Sequence, residues 1–234
     1  MNVAGTGPQI VPVDPLRQVA MLSLEIARHT VVPVTGVAEV DATNLKALHD
    51  RMKPEFEAST RVPLTYTAFF ARAAALALQA NPVMNASFSP QGYLLHPTVN
   101  LGVATQVPGG VLIPVIRDAE RKSVPELAWE IAANANRARA RQVTPAEMST
   151  ATFVITNPGR FGAMLFGTPV IMPSCVGSMG FESIQKRPVV LANDQIVARP
   201  MMYISLTCDH RAVDGADMAR FCTAVKQILE QLKF

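Results

Sequence analysis

The spacing of hydrophobic positions changes several times along the chain, and each change marks an element. Near the C-terminus, Met218, Phe221, Cys222, Val225, Ile228, Leu229 and Leu232 recur at steps of three and four, which predicts an amphipathic helix opened by Asp214-Gly215. Residues 66–79 are Ala-rich and apolar almost all round, the pattern of a buried helix. Thr65 stands at its cap and Asn81-Pro82 stops it. Ser123 caps another helix, which ends in Arg137, Arg139 and Arg141, cations suited to a helix C-terminus. A short helix is expected over 16–29. A further one, capped by Asp41 or Thr43, passes Leu45 and Leu48 and frays near Pro54.

Alternating, β-branched or continuously apolar runs predict strands over 31–40, 86–89, 93–95, 99–106, 111–116, 152–157, 175–181, 189–191 and 196–206. Pro108-Gly109-Gly110 and Asn193-Asp194 supply turns. Residues 1–15, rich in Gly and Pro, read as a flexible lead-in to one domain over 16–234. The fold class is α/β (α+β): a mixed β-sheet with packed helices.

Composition narrows the partners. Hydrophobic residues make up 49% and charged residues 17%, enough for a large core and, with so little charge, a hint of surface buried by partners. A net charge of +3 is too mild for a nucleic-acid binder, yet it leaves cations to steer an anionic co-substrate. Cys175, Cys208 and Cys222 are odd in number and form no CxxC pair, so a reducing compartment is expected, with neither disulfide framework nor zinc site. No apolar run is long enough for a bilayer, and Met1 to Pro8 does not read as a secretory leader. The expected location is cytoplasmic, away from membranes.

Four histidines are present. His29, His49 and His96 read as surface or structural groups, and none stands at metal-ligand spacing from another His or Cys. His210 differs in setting: it follows an apolar strand and precedes Asp214-Gly215, at a strand-to-helix corner of the kind that presents side chains for chemistry. An ordinary capped turn carrying an exposed histidine fits the same spacing. Asp214 can cap the helix or pair with a cation. Cys208, two residues before His210, reads as a buried structural thiol, with a Cys/His nucleophile pair as the alternative. Thr156 closes a strand before Asn157-Pro158-Gly159; its hydroxyl can donate to an oxyanion or satisfy its own turn.

The segment Asp209-His210-Arg211-Ala212-Val213-Asp214-Gly215 resembles the HxxxDG signature of the dihydrolipoamide acyltransferases, the E2 components of 2-oxoacid dehydrogenase complexes, a signature and fold shared with chloramphenicol acetyltransferase. Three further stretches fit in order: Asn85-Ala86-Ser87, the run from Pro108-Gly109-Gly110 to Arg117-Asp118-Ala119, and Thr152-Phe153-Val154-Ile155-Thr156-Asn157-Pro158-Gly159 with Phe161-Gly162. Lys186-Arg187-Pro188-Val189 follows, and the likeness covers about 31–232. The resemblance implies a chloramphenicol acetyltransferase-like fold and acyl transfer between dihydrolipoamide and coenzyme A. In it His210 is the general base, Asp214 the motif's acid and Thr156 the oxyanion donor. It also implies a homotrimer in which His210 meets Thr156 of a neighbour, a lipoyl group supplied by another domain or protein, E1 and E3 companions, and no metal.

The chain departs from the family pattern in three ways. It has no lipoyl domain, residues 16–30 fit the family's basic N-terminal segment poorly, and it stops at Phe234 without the apolar tail that docks trimers into cubic shells. The expectation is therefore a trimer without higher cubic assembly. Two other functions compete: a stand-alone acetyltransferase acting on a small-molecule hydroxyl, and a non-catalytic E2-like scaffold. Retention of both His210 and Asp214 speaks against the scaffold.

Overall fold

The computed structural model describes Pro8 and residues 10–232. Most of the expected lead-in, residues 1–7 and 9, lies outside the described residues. Asp14 already serves the first helix, α1 (Pro15–Thr30), as its N-cap, and Pro15 stands at the first helical position, where its missing N–H is harmless. This helix buries Ala27 alone and leaves Val19, Met21, Leu22, Leu24 and Ile26 exposed, an unusual amount of apolar surface for one element.

Strand β1 (Pro33–Asp41) leads into α2 (Thr43–Thr60) and α3 (Tyr66–Ala80). The Asp41 carboxylate receives the N–H of Thr43 at 2.9 Å, so the expected cap works from one residue before the N-cap, Ala42. The expected fraying at Pro54 does not occur. The proline lies inside α2, because Leu48, Met52 and Phe56 pack on the core and outweigh its lost hydrogen bond. Thr65 is the N-cap of α3 by position, but its hydroxyl makes no capping bond.

Two short hairpin strands, β2 (Ala86–Ser89) and β3 (Gly92–Leu95), precede a region where both expected long strands are divided. Residues 99–106 form β4 (Leu101–Val103) and β5 (Thr105–Val107); residues 111–116 lie in β6 (Gly110–Leu112) and β7 (Val115–Ile116). The break between β6 and β7 falls at Ile113-Pro114, where the proline has no N–H to pair. At the other break the Ala104 N–H turns to the Ile155 carbonyl. The β5–β6 hairpin turns at Gly109, whose φ of +89° suits glycine. Helix α4 (Val124–Arg139) opens with the full Ser123/Glu126 capping box. A single turn, α5 (Pro145–Met148), precedes β8 (Phe153–Thr156), β9 (Gly177–Phe181), β10 (Gln185–Val190), β11 (Ile196–Asp209) and α6 (Gly215–Gln231).

The central sheet runs β1-β11-β9-β8-β4-β7, with β10 on the first part of β11. β4, β8 and β9 are parallel, whereas β11 is antiparallel to β9 and to β1. The sheet is thus mixed, and its strand ends point both ways. One face carries Phe153, Ile155, Met179, Phe181, Ile204, Leu206 and Cys208 into the main core with α3 and α6. Phe70 of α3 stacks on Phe181 with ring centroids 4.4 Å apart. The opposite face bears small and polar side chains: Thr156, Ser178, Gly180, Ser205 and Thr207. The segment 161–175 crosses part of this face as a strap, its Gly167 N–H donating to Ser205 Oγ at 3.2 Å.

Candidate active site

His210 follows the last residue of β11 and is exposed. The chain around it is tightly held. Its own N–H donates to the Val32 carbonyl at 2.8 Å, and the preceding Asp209 N–H donates to Val176 at 2.9 Å. The buried Asp209 carboxylate accepts from the N–H groups of Val32 and Arg211 and from the Arg211 guanidinium, with Nη2 at 2.6 Å. Burial pushes that carboxyl up, but Arg211 and these hydrogen bonds outweigh it and leave Asp209 below the usual carboxylate range. Arg211 also donates to the Thr30 carbonyl at the end of α1, and the Tyr93 hydroxyl donates to the Ala212 carbonyl at 2.5 Å. By contrast, the His210 imidazole has no hydrogen-bond partner among the described residues.

Asp214 takes the first of the two roles open to it. Its carboxylate caps α6, receiving the N–H groups of Ala216 at 2.8 Å and Asp217 at 2.9 Å, and Asp217 completes a capping box. Those backbone donors hold its carboxyl below the ordinary aspartate range. Asp214 fixes the far end of the His210 loop.

Thr156 is the last residue of β8 and half-buried, and its hydroxyl is likewise without a partner among the described residues. It lines a cleft of about 720 Å³ with Asp14, Arg17, Gln106, Asn157 and Arg160. Beyond the Asn157-Pro158-Gly159-Arg160 turn lies a second cleft of about 730 Å³, which shares Asn157 and Arg160 with the first. Lys53, Arg61, Arg139 and Arg160 stand on the second cleft, cations that fit the phosphates of a nucleotide-bearing thiol. His210 lines neither.

Strand register separates the two candidate groups. Thr156 pairs with Gly180, while Cys208 pairs with Gly177, so His210 stands beyond Val176. Because β11 runs against β8, the two residues occupy opposite ends of the sheet, about five residues or 16 Å apart along the strands and about 10 Å across them. Within one chain they do not meet.

The remaining candidates are structural. Cys208 is buried on the core face and its thiol is pushed far up by burial, as are Cys175, to about 12, and Cys222, to about 11. Cys208 therefore offers no thiolate to the exposed His210. His49 is buried, bonded to the Leu64 carbonyl at 2.9 Å and stacked on Tyr66. His96 bonds Ser87 at 3.0 Å, and burial lowers its pKa. Among the described residues no cluster of His, Cys, Asp and Glu is arranged for a metal ion, and no helix is long and apolar enough to cross a membrane. Asp209, Arg211 and Tyr93 have no role that motif or spacing assigns. The opposite charges flanking His210 were a visible signal for the first two. Glu182, a lone acid just after the apolar run of β9, also drew no attention in the sequence.

Residues 6–234 match the family model "2-oxoacid dehydrogenases acyltransferase (catalytic domain)". The chain is 39% identical over 227 residues, 95% of its length, to the dihydrolipoyllysine-residue acetyltransferase component of the Corynebacterium glutamicum pyruvate dehydrogenase complex. It is 38% identical over 223 residues, again 95% of its length, to the corresponding component of the Bacillus subtilis acetoin cleaving system. It spans only 34% and 56% of those two relatives. Among solved structures, a probable dihydrolipoamide acetyltransferase from Listeria monocytogenes superposes with a TM-score of 0.92 at 29% identity, covering 97% of each chain. The Azotobacter vinelandii dihydrolipoamide acetyltransferase, studied for the catalytic role of a serine, a histidine and an asparagine, gives 0.91 at 31% identity, covering 97% of this chain and 93% of that one. A chloramphenicol acetyltransferase, at 12% identity and 0.55, shares the fold. The family read from the motifs is the family found, and the chain belongs to the 2-oxoacid dehydrogenase acyltransferases, of which it forms the catalytic domain.

Proposed function

We propose that the chain moves an acyl group between coenzyme A and a dihydrolipoyl group at a site completed by a second copy of itself. The observation that carries this reading is the pair of unpartnered groups, His210 and Thr156, held at opposite ends of one sheet. Each is exposed or half-exposed, and each is set on a firmly bonded turn. A histidine from one copy and a threonine from the next make the pair that neither chain makes alone. In the Azotobacter relative the histidine and asparagine of interest are four positions apart, as His210 and Asp214 are here, and its serine precedes them as Thr156 does.

The chemistry follows from the groups. A thiol with a pKa near 8.5 is mostly protonated at neutral pH, and its thiolate is the nucleophile. The imidazole of His210 takes the thiol proton as sulfur attacks the thioester carbon, then returns it to the departing sulfur. Charge gathers meanwhile on the former carbonyl oxygen, where the Thr156 hydroxyl donates a hydrogen bond worth about 3–4 kcal/mol. Asp214 holds the His210 loop by capping α6. Exchange of one thioester for another is close to thermoneutral, so orientation rather than an energy source is what the protein supplies.

The cationic cleft beside Asn157 is assigned to coenzyme A, since its four cations match the phosphates. The lipoyl group comes from another domain or protein, with E1 and E3 enzymes as companions in the cytoplasm. The copies assemble as a homotrimer, in which each His210 faces the next copy's Thr156.

A spectrophotometric assay with acetyl-CoA and dihydrolipoamide, run beside acetyl-CoA and chloramphenicol, tests the reading. Transfer to the dithiol is expected, and His210→Ala should lower it at least about a hundredfold while leaving the oligomer intact. Transfer to chloramphenicol instead, or unchanged transfer without His210, would overturn it.

A further inference from the structure

Among the described residues, Glu182 Oε2 is the buried side-chain oxygen that finds no hydrogen-bond partner. The residue is 2% exposed, and a buried carboxyl oxygen without a partner is costly enough to call for a reason. Its other oxygen, Oε1, receives the Ser205 hydroxyl at 3.2 Å, and Ser205 in turn accepts the strap's Gly167 N–H. Among the described residues no ion pair includes Glu182, and burial raises its pKa above the ordinary glutamate value.

Its position brings it to the reaction. Glu182 follows Gly180 by two residues and extends toward the same face of the sheet. The carboxyl folds back over Gly180: a Cβ on that glycine would stand 2.8 Å from Glu182 Oε1. Gly180 is the register partner of Thr156, so the carboxyl lies about one strand spacing, near 5 Å, from the strand that ends in the oxyanion donor. A thioester carbon placed at Thr156 carries three groups: its oxygen, its sulfur and the acyl chain. The oxygen is taken by Thr156 and the sulfur by the thiol path, which leaves the acyl chain to meet Glu182.

We propose that Glu182 selects the acyl group, favouring one that carries a second oxygen, hydroxyl or carboxyl, beyond the thioester carbonyl. This rests on the acyltransferase reading above and names the substrate class within it. A plain aliphatic acyl group leaves Oε2 unsatisfied, whereas an oxygenated one completes its hydrogen bonding. Sites that pair a substrate polar group discriminate strongly against analogues lacking it. The strap is tied down beside this carboxyl in the free chain, with Gly167 N–H to Ser205 and Ser183 N–H to the Met164 carbonyl among its ties to the sheet, so the acyl chain enters by displacing it.

Three acyl-CoA substrates of equal carbon number test this with dihydrolipoamide as acceptor: butyryl-CoA, 3-hydroxybutyryl-CoA and succinyl-CoA. At least one oxygenated substrate should exceed butyryl-CoA in kcat/KM by about tenfold or more. Which one does so identifies the hydroxyl or the carboxyl as the partner. Glu182→Met should bring that ratio close to one, and Glu182→Gln, which keeps both the shape and the polar atoms, should retain most of it. Equal use of all three by the unaltered protein would overturn the assignment. So would a ratio that survives Glu182→Met, or an equal fall for every substrate, which would make Glu182 a part of the oxyanion site. Absence of transfer from any acyl-CoA, acetyl-CoA included, would instead bring down the acyltransferase reading and this assignment with it.

Discussion

The backbone at His210 is fixed by its neighbours, chiefly by Asp209, whose buried carboxylate gathers N–H groups from Val32 and Arg211. The folded-state pKa of Asp209 lies below the ordinary value of about 3.9. Its stabilisation is therefore present in full above that value and is lost as pH falls through the lower, folded-state pKa. Asp209→Asn should cost about 1–3 kcal/mol at pH 7 in urea denaturation, and the gap from the parent protein should shrink toward pH 3. A gap that stays constant with pH would mean the charge contributes nothing. Glu182 has the opposite sign: its raised pKa means stability declines as pH climbs from the ordinary glutamate range toward its own value.

At the scale of elements, the Thr156 turn depends on how closely it approaches the end of β9. Gly159 packs directly on the Glu182 backbone, and a Cβ there would stand 2.3 Å from the Glu182 carbonyl atoms. Backbone cannot give way as a flexible side chain can. Gly159→Ala should cost about 1–3 kcal/mol and displace the turn, lowering acyl transfer. Calorimetry beside the transfer assay checks this, and an unaltered melting temperature would refute the close packing. Helix α6 works from the other side: its stripe of Met218, Phe221, Cys222, Val225 and Leu229 seats it on the core, and Asp214 at its cap anchors the His210 loop.

For the whole molecule, the proposed site needs a second copy, because His210 and Thr156 stand at opposite ends of one sheet. A contact in which one surface of each copy meets a different surface of the next makes a ring where the rotation between copies closes. The exposed apolar side of α1, tied to the His210 loop through Arg211 and the Thr30 carbonyl, offers surface for such a contact. Two inactive variants, His210→Ala and Thr156→Ala, should restore each other when denatured together and reassembled. In an equal mixture each interface has one chance in two for either intact residue, so recovery should approach about a quarter of normal activity. Separately reassembled variants should stay inactive; no recovery in the mixture would place the complete site within one chain.

Much of the element order, and the family, follows from patterns local to the chain. The stripe of α6, the capping box at Ser123 and the apolar runs of β8, β9 and β11 are local patterns, set by the periods of helix and strand. The ordered motifs singled out His210, Thr156 and Asp214 as residues, since motif spacing survives in the chain. Other features were beyond local reading. Pro54 stays helical because distant core contacts outweigh its lost bond, and the 99–106 run divides because Ala104 pairs with Ile155 from a later strand. The opposition of β11 to β8, which sends the two candidate groups to opposite ends of the sheet, arises only on folding. Likewise only folding buried Glu182 with an oxygen unpaired, because strand direction and burial arise from contacts between residues far apart in the chain.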